Sequence, residues 1–546
     1  MENKIPKIKT ARKTEKELEQ MSPFELKNNL IALANQSTDK STHAMLNAGR
    51  GNPNWISTIP REAFFTLGKF GIEECRRTMN YKQGLAGIPE MKGIAKRFEK
   101  FLRDNKTEKD IDLLAKLYKY GIKNHKFDPD AYVHELAEGV IGDQYPVPDR
   151  MLKHNEAIVH DYLAQEMCDN KPPKGKYDLF ATEGGTAAMC YIFDSLMINF
   201  LVKQGDKIAL FVPTFTPYIE IPELDRFNFN VVLIEAKGKT KEGLHNWEYP
   251  DKELDKLKDQ EIKVAFLVNP SNPPSMALNP HERKKIIEIV KKDNPKLMFI
   301  TDDVYGTFVH GFRSLMAGIP HNTLCVYSFS KYFGCTGWRI GVIALHEKNI
   351  FDRMIKELPE NKKKALHKRY HSIDLNPENM KFIDRMVADS RMVALNHTSG
   401  LSLPQQTQMM LFAAFAIFDK KNAYKQLAHK IVQKRLNLLF EGMGFTLKPN
   451  PYRTGYYAEL DIMLWAEKNY GNDFAMYLKK NYEPVDILFR LAELCSIVLL
   501  NGGGFDAPEW SIRVSLANLK DEDYITIAKA IKEIVGEYLE DWEKEK

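Results

Sequence analysis

Three observations predict an α/β chain built on a large, mainly parallel sheet with a smaller α+β domain beside it. Seven short apolar runs, at 178–182, 207–213, 230–236, 263–269, 297–301, 323–328 and 339–345, alternate with helical stretches. Such alternation builds a parallel sheet with helices on both faces. From about 401 the pattern changes to helices mixed with strand-like stretches at 455–462, 494–500 and 510–516. The length, 546 residues, exceeds what one compact core holds, so at least two domains are expected.

Composition narrows the function classes. Hydrophobic residues at 44% and charged residues at 28% are ordinary for a soluble globular protein. A formal charge of +5 is small for this length and gives no case for nucleic acid or a membrane as partner. Cys75, Cys168, Cys190, Cys325, Cys335 and Cys495 are scattered with no C-x-x-C, so neither a metal site nor a disulfide framework is expected. The longest clean apolar run, Met409 to Phe418, is too short to span a bilayer. The N-terminus is charged and lacks an apolar signal core, which reads as cytoplasmic.

Taken in order, residues 1–20 are charged and expected to be mobile. Ser22-Pro23-Phe24-Glu25-Leu26-Lys27 starts a helix, with Ser22 as cap and Pro23 in the first position. Ala48-Gly49-Arg50-Gly51-Asn52-Pro53-Asn54-Trp55 is a turn-rich loop. An amphipathic, charged stretch covers 95–175 and reads as helical. Residues 346–400 read as charged and irregular, with Asn361-Lys362-Lys363-Lys364 as a solvated face. Helices resume from 404 to about 443, one helix is expected between the strand-like stretches at 455–462 and 494–500, and an amphipathic helix closes the chain. No internal repeat is visible.

The chemistry-bearing residues fall at the carboxyl ends of the predicted strands, where ligands bind in open parallel sheets. Thr182-Glu183-Gly184-Gly185-Thr186 follows the first strand and opens a helix, a place where free backbone N–H groups can meet a phosphate. Phe215, in Pro213-Thr214-Phe215, could stack on an aromatic ring, although a core phenylalanine is the commoner case. Asn269-Pro270-Ser271-Asn272-Pro273-Pro274-Ser275 caps a further strand. In Thr301-Asp302-Asp303-Val304-Tyr305 a buried carboxylate could hold a pyridine nitrogen protonated, with Asp303 as the rival to Asp302. Ser328-Phe329-Ser330-Lys331 follows the sixth run, and Arg339 stands eight residues after the lysine. A lysine there can bond a carbonyl cofactor, and hydroxyls with an arginine can hold a phosphate. Together they suggest pyridoxal 5'-phosphate (PLP), which carries both groups.

With Gly337, Arg339 and Gly341 in place, this stretch resembles the lysine signature of the class I/II aminotransferases, the fold-type I PLP enzymes; Cys335 stands where that family usually has an aliphatic residue. The resemblance implies that Lys331 carries the cofactor. It implies that Gly184, Gly185, Thr186, Ser328, Ser330 and Arg339 hold its phosphate and that Phe215 covers its ring. The N-P-x-N-P turn resembles the family's, so Asn272 would bond the phenolic oxygen, and the D-x-x-Y pattern gives Asp302 to the ring nitrogen and Tyr305 to the same oxygen. Asn80-Tyr81 followed by Gly87-Ile88-Pro89-Glu90 resembles the segment that lends a tyrosine to the neighbouring subunit's cofactor phosphate; Tyr81 then implies a dimer as the smallest active unit. Arg513, in Trp510-Ser511-Ile512-Arg513-Val514-Ser515, resembles the arginine that clamps a substrate α-carboxylate. Gly51 and Arg50 fall where members line the substrate pocket, and a second carboxylate would need a second cation, which points to Arg50.

The chain is much longer than typical aspartate aminotransferases. The excess lies in 95–175, in 346–400 and in the N-terminal arm. With S-P-F-E-L-K and A-G-R-G-N-P-N-W, these resemble the aspartate 4-decarboxylase group of the family. That implies β-decarboxylation of L-aspartate to L-alanine and carbon dioxide, with side transamination to 2-oxo acids such as pyruvate. Lys331 would move the Cα proton. A plain aspartate or alanine aminotransferase is the alternative, or a lyase such as 1-aminocyclopropane-1-carboxylate synthase. A PLP-binding regulator would need a helix-turn-helix domain ahead of the fold, and the roughly 45 residues before Arg50 are too few. The expected division is an arm and substrate loop (1–60), a large cofactor domain (61–345, with the helical insertion 95–175), a linker (346–400) and a small domain (401–546). Both insertions are expected outside the catalytic core, driving homo-oligomer assembly beyond a dimer.

Overall fold

The computed structural model describes residues 12–38, 44–106, 109–240, 244–391 and 400–546. Seven strands form one sheet: β1 (Tyr177–Thr182), β2 (Lys207–Val212), β3 (Asn230–Glu235), β4 (Ile262–Val268), β5 (Met298–Asp302), β6 (Thr323–Ser328) and β7 (Gly341–His346). Their order is β1-β7-β6-β5-β4-β2-β3. β7 runs antiparallel to both its neighbours, and the other pairs are parallel. Each expected strand is present within two residues of its expected ends.

Both faces of this sheet are covered, which is why its strands read as unbroken apolar runs. Along β6, Leu324 and Val326 join a core with Phe193, Phe266 and Ile300, while Cys325 and Tyr327 join the core on the opposite face. The register lines up the functional ends: Val268 is opposite Asp302, Asp302 opposite Val326, and Ser328 and Thr182 both opposite Gly341. Because β7 is reversed, its first residue lies on that same edge, and Arg339 arrives there just before it.

A second sheet, with β8 (Tyr457–Asp461), β9 (Leu500–Asn501) and β10 (Ser511–Ser515), is antiparallel in the order β9-β10-β8. Leu26 and Leu30 of the helix Pro23–Thr38 enter its core, and Leu46–Asn47 pairs with Ile497–Val498. The N-terminal arm is therefore part of this layer.

Several expectations give way. The N-terminal stretch expected to be mobile lies outside the described residues for 1–11, but Arg12–Glu19 is a helix whose Leu18 packs on the second core and whose Lys16 meets Glu483 at 3.7 Å. Residues 346–400 are not irregular: helices Ile350–Lys356, Glu360–Tyr370 and Phe382–Arg391 bury Leu366, Tyr370, Phe382 and Met386 against the sheet; 392–399 lie outside the described residues. Lys362 and Lys363 are half-buried, Lys362 lying 5.1 Å from the Phe200 ring centroid. Three helices, not one, fill 462–495, because Phe474, Leu478 and Leu491 all reach the second core.

The stretch 95–175 is helical, as Ile94–Asp104, Lys109–Tyr120, Pro129–Ile141 and Lys153–Cys168. Its last helix is inside the sheet's core rather than apart from it: Tyr162 packs on Phe329, and its hydroxyl lies 2.6 Å from that of Tyr327. The apolar run 409–418 belongs to the helix Leu403–Phe418, buried on nearly all sides. Among the described residues no helix is long and apolar enough to cross a membrane.

Candidate active site

The carboxyl edge of the large sheet faces the second sheet, and Lys331 stands between them. Its Nζ donates to the Gly51 carbonyl at 2.9 Å, which ties the loop after the N-terminal helix to the end of β6. Gly51 is required by this approach, because a Cβ there would meet the Tyr457 hydroxyl and stand 2.8 Å from Lys331 Nζ.

On the large-sheet side, Ser328 is buried, and its hydroxyl donates to Ser330 Oγ at 3.0 Å. Gly185 opens the helix Gly185–Ile198 beside Ser328, and a Cβ on Gly185 would stand 3.9 Å from the serine's Cβ. Gly184 has φ +92°, and a Cβ there would come within 2.6 Å of the Arg339 guanidinium. Thus the N–H groups of the helix start, two hydroxyls and one guanidinium gather at one edge of the sheet, with Thr186 exposed beside them.

Asp302 is buried at the end of β5. It accepts from the Tyr218 hydroxyl at 2.6 Å and the Val304 N–H at 3.2 Å. Burial pushes its carboxyl above the usual range, only partly offset by these donors and the Lys331 charge. A buried carboxyl whose hydrogen-bond donors are all neutral, with no ion pair among the described residues, is suited to receive a cation. Asp303 is turned elsewhere: its Oδ2 is ringed by Thr301 Oγ1, Ser314 Oγ and Cys325 Sγ. Phe215 is half-buried, with its ring edge-on to Tyr218 at 5.5 Å and to Phe24 at 5.6 Å.

On the second-sheet side, Arg513 is fully buried on β10. It donates to Asn272 Oδ1 at 3.3 Å and to the Gly49 carbonyl at 3.0 Å, while its Nε has no partner among the described residues. Asn272 and Arg513 are thereby joined. The Tyr305 hydroxyl donates to Tyr457 at 3.0 Å, and Tyr457 lies 4.4 Å from the Arg513 guanidinium, measured to its ring centroid. Arg50 is exposed and has no hydrogen-bond or ion-pair partner among the described residues. Tyr81 is not brought to this group within one chain. It is exposed in a tight turn, its N–H donating to Leu85 O and its carbonyl accepting from Gly84.

Sequence reasoning missed four side chains. Tyr218 was readable, since it stands three residues beyond Phe215 on a helix start. Lys27 faces Arg50 and Arg513; burial first, and then those two charges, hold its ammonium below the usual lysine range. Tyr456 donates to the Gly51 carbonyl at 2.8 Å, and Tyr457 completes the cluster. Nothing in a strand of mixed residues marks either one.

This arrangement joins a lysine, an anion cradle and a buried carboxyl on one sheet to a buried arginine on another. Residues 182–531 match the family model of aminotransferase class I and II, and the chain belongs to that family. A protein of Pseudomonas sp. named bifunctional aspartate aminotransferase and L-aspartate beta-decarboxylase is 45% identical over 96% of this chain and 98% of its own. An aspartate aminotransferase of Sulfurisphaera tokodaii is 28% identical over 35% of this chain and 47% of its own. Among solved structures, a double mutant of Thermus thermophilus aspartate aminotransferase superposes with a TM-score of 0.57 at 15% identity, covering 97% of this chain and all of that one. The aspartate aminotransferase of Rhizobium meliloti gives 0.57 at 14%, covering 94% and 96%. These likenesses bear on the fold, that of the fold-type I enzymes.

Proposed function

We propose that this chain binds PLP and converts L-aspartate to L-alanine and carbon dioxide, with aspartate aminotransferase activity as its second reaction. The observation that carries the reading is that Lys331 and Arg513 both bond the Gly49–Gly51 loop, with buried Asp302 near enough to Lys331 to feel its charge, in a chain whose 45% identical relative bears both activities in its name. The residues fit the cofactor: the Gly184–Arg339 approach leaves a cradle for a phosphate, and buried Asp302 lacks the cation that a protonated ring nitrogen supplies. When bound, PLP offers an aldehyde to the substrate amine and a ring that accepts electrons from bonds broken there.

The chain's own residues do the rest. Lys331 holds the cofactor and then takes and returns the proton at the substrate Cα. Gly184, Gly185, Thr186, Ser328, Ser330 and Arg339 hold the phosphate, and Tyr81 of a second copy joins them. Asp302 keeps the ring nitrogen protonated, Phe215 covers the ring, and Asn272 with Tyr305 directs the phenolic oxygen. Arg513 clamps the α-carboxylate. Arg50, free of local partners, orients the β-carboxylate. It must not hold it too firmly, since equal binding of ground and transition states does not speed loss of carbon dioxide.

Met79, Tyr81, Leu85, Ile88 and Met91 are exposed apolar side chains in one stretch, which supports a dimer interface there. Larger assembly through 95–175 and 346–400, whose mass light scattering would read, and a cytoplasmic location belong to the same reading. So does the division at 60, 345 and 400. The test is a product assay on aspartate with and without pyruvate. Alanine and carbon dioxide are expected in both. Oxaloacetate and alanine in equal amounts without carbon dioxide, and only with pyruvate, would make the chain a plain aminotransferase.

A further inference from the structure

Aspartate carries one net negative charge and alanine none, so β-decarboxylation consumes one proton at Cβ. Resting on the reading above, we propose that Tyr457 is the acid that delivers it.

The first argument is the fate of each phenolic hydrogen in the pocket. Tyr218 gives its hydrogen to Asp302, Tyr456 gives its own to the Gly51 carbonyl, and Tyr305 gives its own to the Tyr457 oxygen. Tyr457 is the one phenol of these four whose hydrogen is not committed among the described residues. Its oxygen accepts from Tyr305, so its hydrogen is directed elsewhere.

The second argument is place. The Tyr457 hydroxyl and Lys331 Nζ approach the same point beside Gly51, and the Arg513 guanidinium lies 4.4 Å from the Tyr457 ring centroid. A substrate held by its α-carboxylate on Arg513, with Cα within reach of Lys331, has its Cβ one bond away, beside that hydroxyl. The third argument is rigidity. The Tyr457 N–H donates to Ser275 Oγ at 2.8 Å, and the ring packs on Tyr305 and Tyr456 at 5.6 and 5.1 Å. The hydroxyl is fixed from both its strand and its neighbours. Electrostatics agree: burial alone would raise this phenol, but the Lys331 and Arg513 charges outweigh it and bring it below the ordinary tyrosine value. A readier acid results.

The step balances. The Cβ–carboxylate bond breaks and its electron pair stays with the substrate. The Tyr457 O–H bond then breaks, a C–H bond forms at Cβ, and the phenolate regains a proton along the Tyr305 hydrogen bond or from solvent.

The test is Tyr457→Phe. In the holoenzyme, alanine and carbon dioxide from aspartate should fall about a hundredfold or more. Half-transamination of alanine, which needs only the Cα proton, should change less than about threefold. In the cofactor-free protein, a tyrosinate absorbance component that titrates below ordinary tyrosine should vanish in the variant. Equal losses in both reactions would show that Tyr457 merely supports Lys331. Unchanged decarboxylation, or a low-titrating component that survives the substitution, would also overturn the assignment. Wild-type protein that releases no carbon dioxide would instead overturn the functional reading, and the acid role with it.

Discussion

The two walls of the pocket are built on opposite plans. The large-sheet wall has its buried polar groups hydrogen-bonded within itself: Ser328 bonds Ser330, and Asp302 takes the Tyr218 hydrogen and the Val304 N–H. The second-sheet wall gathers cations without acids: Arg513 bonds only neutral oxygens, and Lys27 and Arg50 stand near it. Glu459, opposite Arg513 on β8, does not balance them, because burial pushes its carboxyl up to about 8. The first wall suits a group that stays. On the proposed reading the second is completed by a substrate with two carboxylates, and burying a cation such as Arg513 unpaired is costly.

Lys331 belongs to both walls, so Lys331→Ala should have the largest effect. Nearly all turnover should be lost, together with the visible absorbance of the bound cofactor. Borohydride reduction followed by peptide mapping checks it: a label on any other lysine would break the whole assignment.

Next is Arg513→Gln, which strikes the second wall alone. Removing one partner of a buried charge-assisted pair costs about 2–5 kcal/mol, so kcat/KM for aspartate should fall about 30- to 5000-fold. Cofactor affinity, measured by equilibrium titration, should stay within about threefold. Equal loss of both would show that the walls are not separable. Tyr218→Phe tests the first wall. A hydrogen bond to a charged group contributes about 1.5–3 kcal/mol, so turnover should fall about 10- to 150-fold with aspartate KM nearly unchanged. A rise in KM with turnover intact would assign Tyr218 to the substrate.

The walls also differ in how they were written in the sequence. Every strand of the large sheet was legible, because a strand buried on both faces makes an unbroken apolar run and its end carries a local motif. Gly184 to Thr186, Asp302 to Tyr305 and Ser328 to Lys331 are each contiguous. The second wall joins Lys27 and Gly51 to Tyr457 and Arg513, about four hundred residues further along the chain. Only Arg513 and the Arg50–Gly51 loop were found there, and by resemblance. The helices of 346–400 were missed because Leu366, Tyr370, Phe382 and Met386 are few among charged residues, and only tertiary packing fixes them.

The smallest expected effect on turnover belongs to Asp303→Asn, which sharpens the contrast within the first wall. Asp303 adjoins Asp302 but serves packing. It is fully buried, its Oδ2 takes hydrogens from Thr301 and Ser314 hydroxyls and the Cys325 thiol, and its Oδ1 has no partner among the described residues. Burial pushes its carboxyl up to about 7, well above an unfolded aspartate at about 3.9. Because the folded value is the higher one, its contribution to stability is fully present below about pH 4. As pH rises toward 7 the unfolded chain has released the proton while the folded chain still holds it, so stability is lost across that window. The gap of roughly three units is worth at most about 4 kcal/mol. Asparagine keeps an acceptor for the three donors and cannot ionise. Asp303→Asn should therefore be no more stable than wild type at pH 4, gain on it progressively to pH 8, and keep turnover within about threefold. Denaturant midpoints measured across that range decide: parallel profiles would mean that Asp303 is not the buried acid that sets this slope.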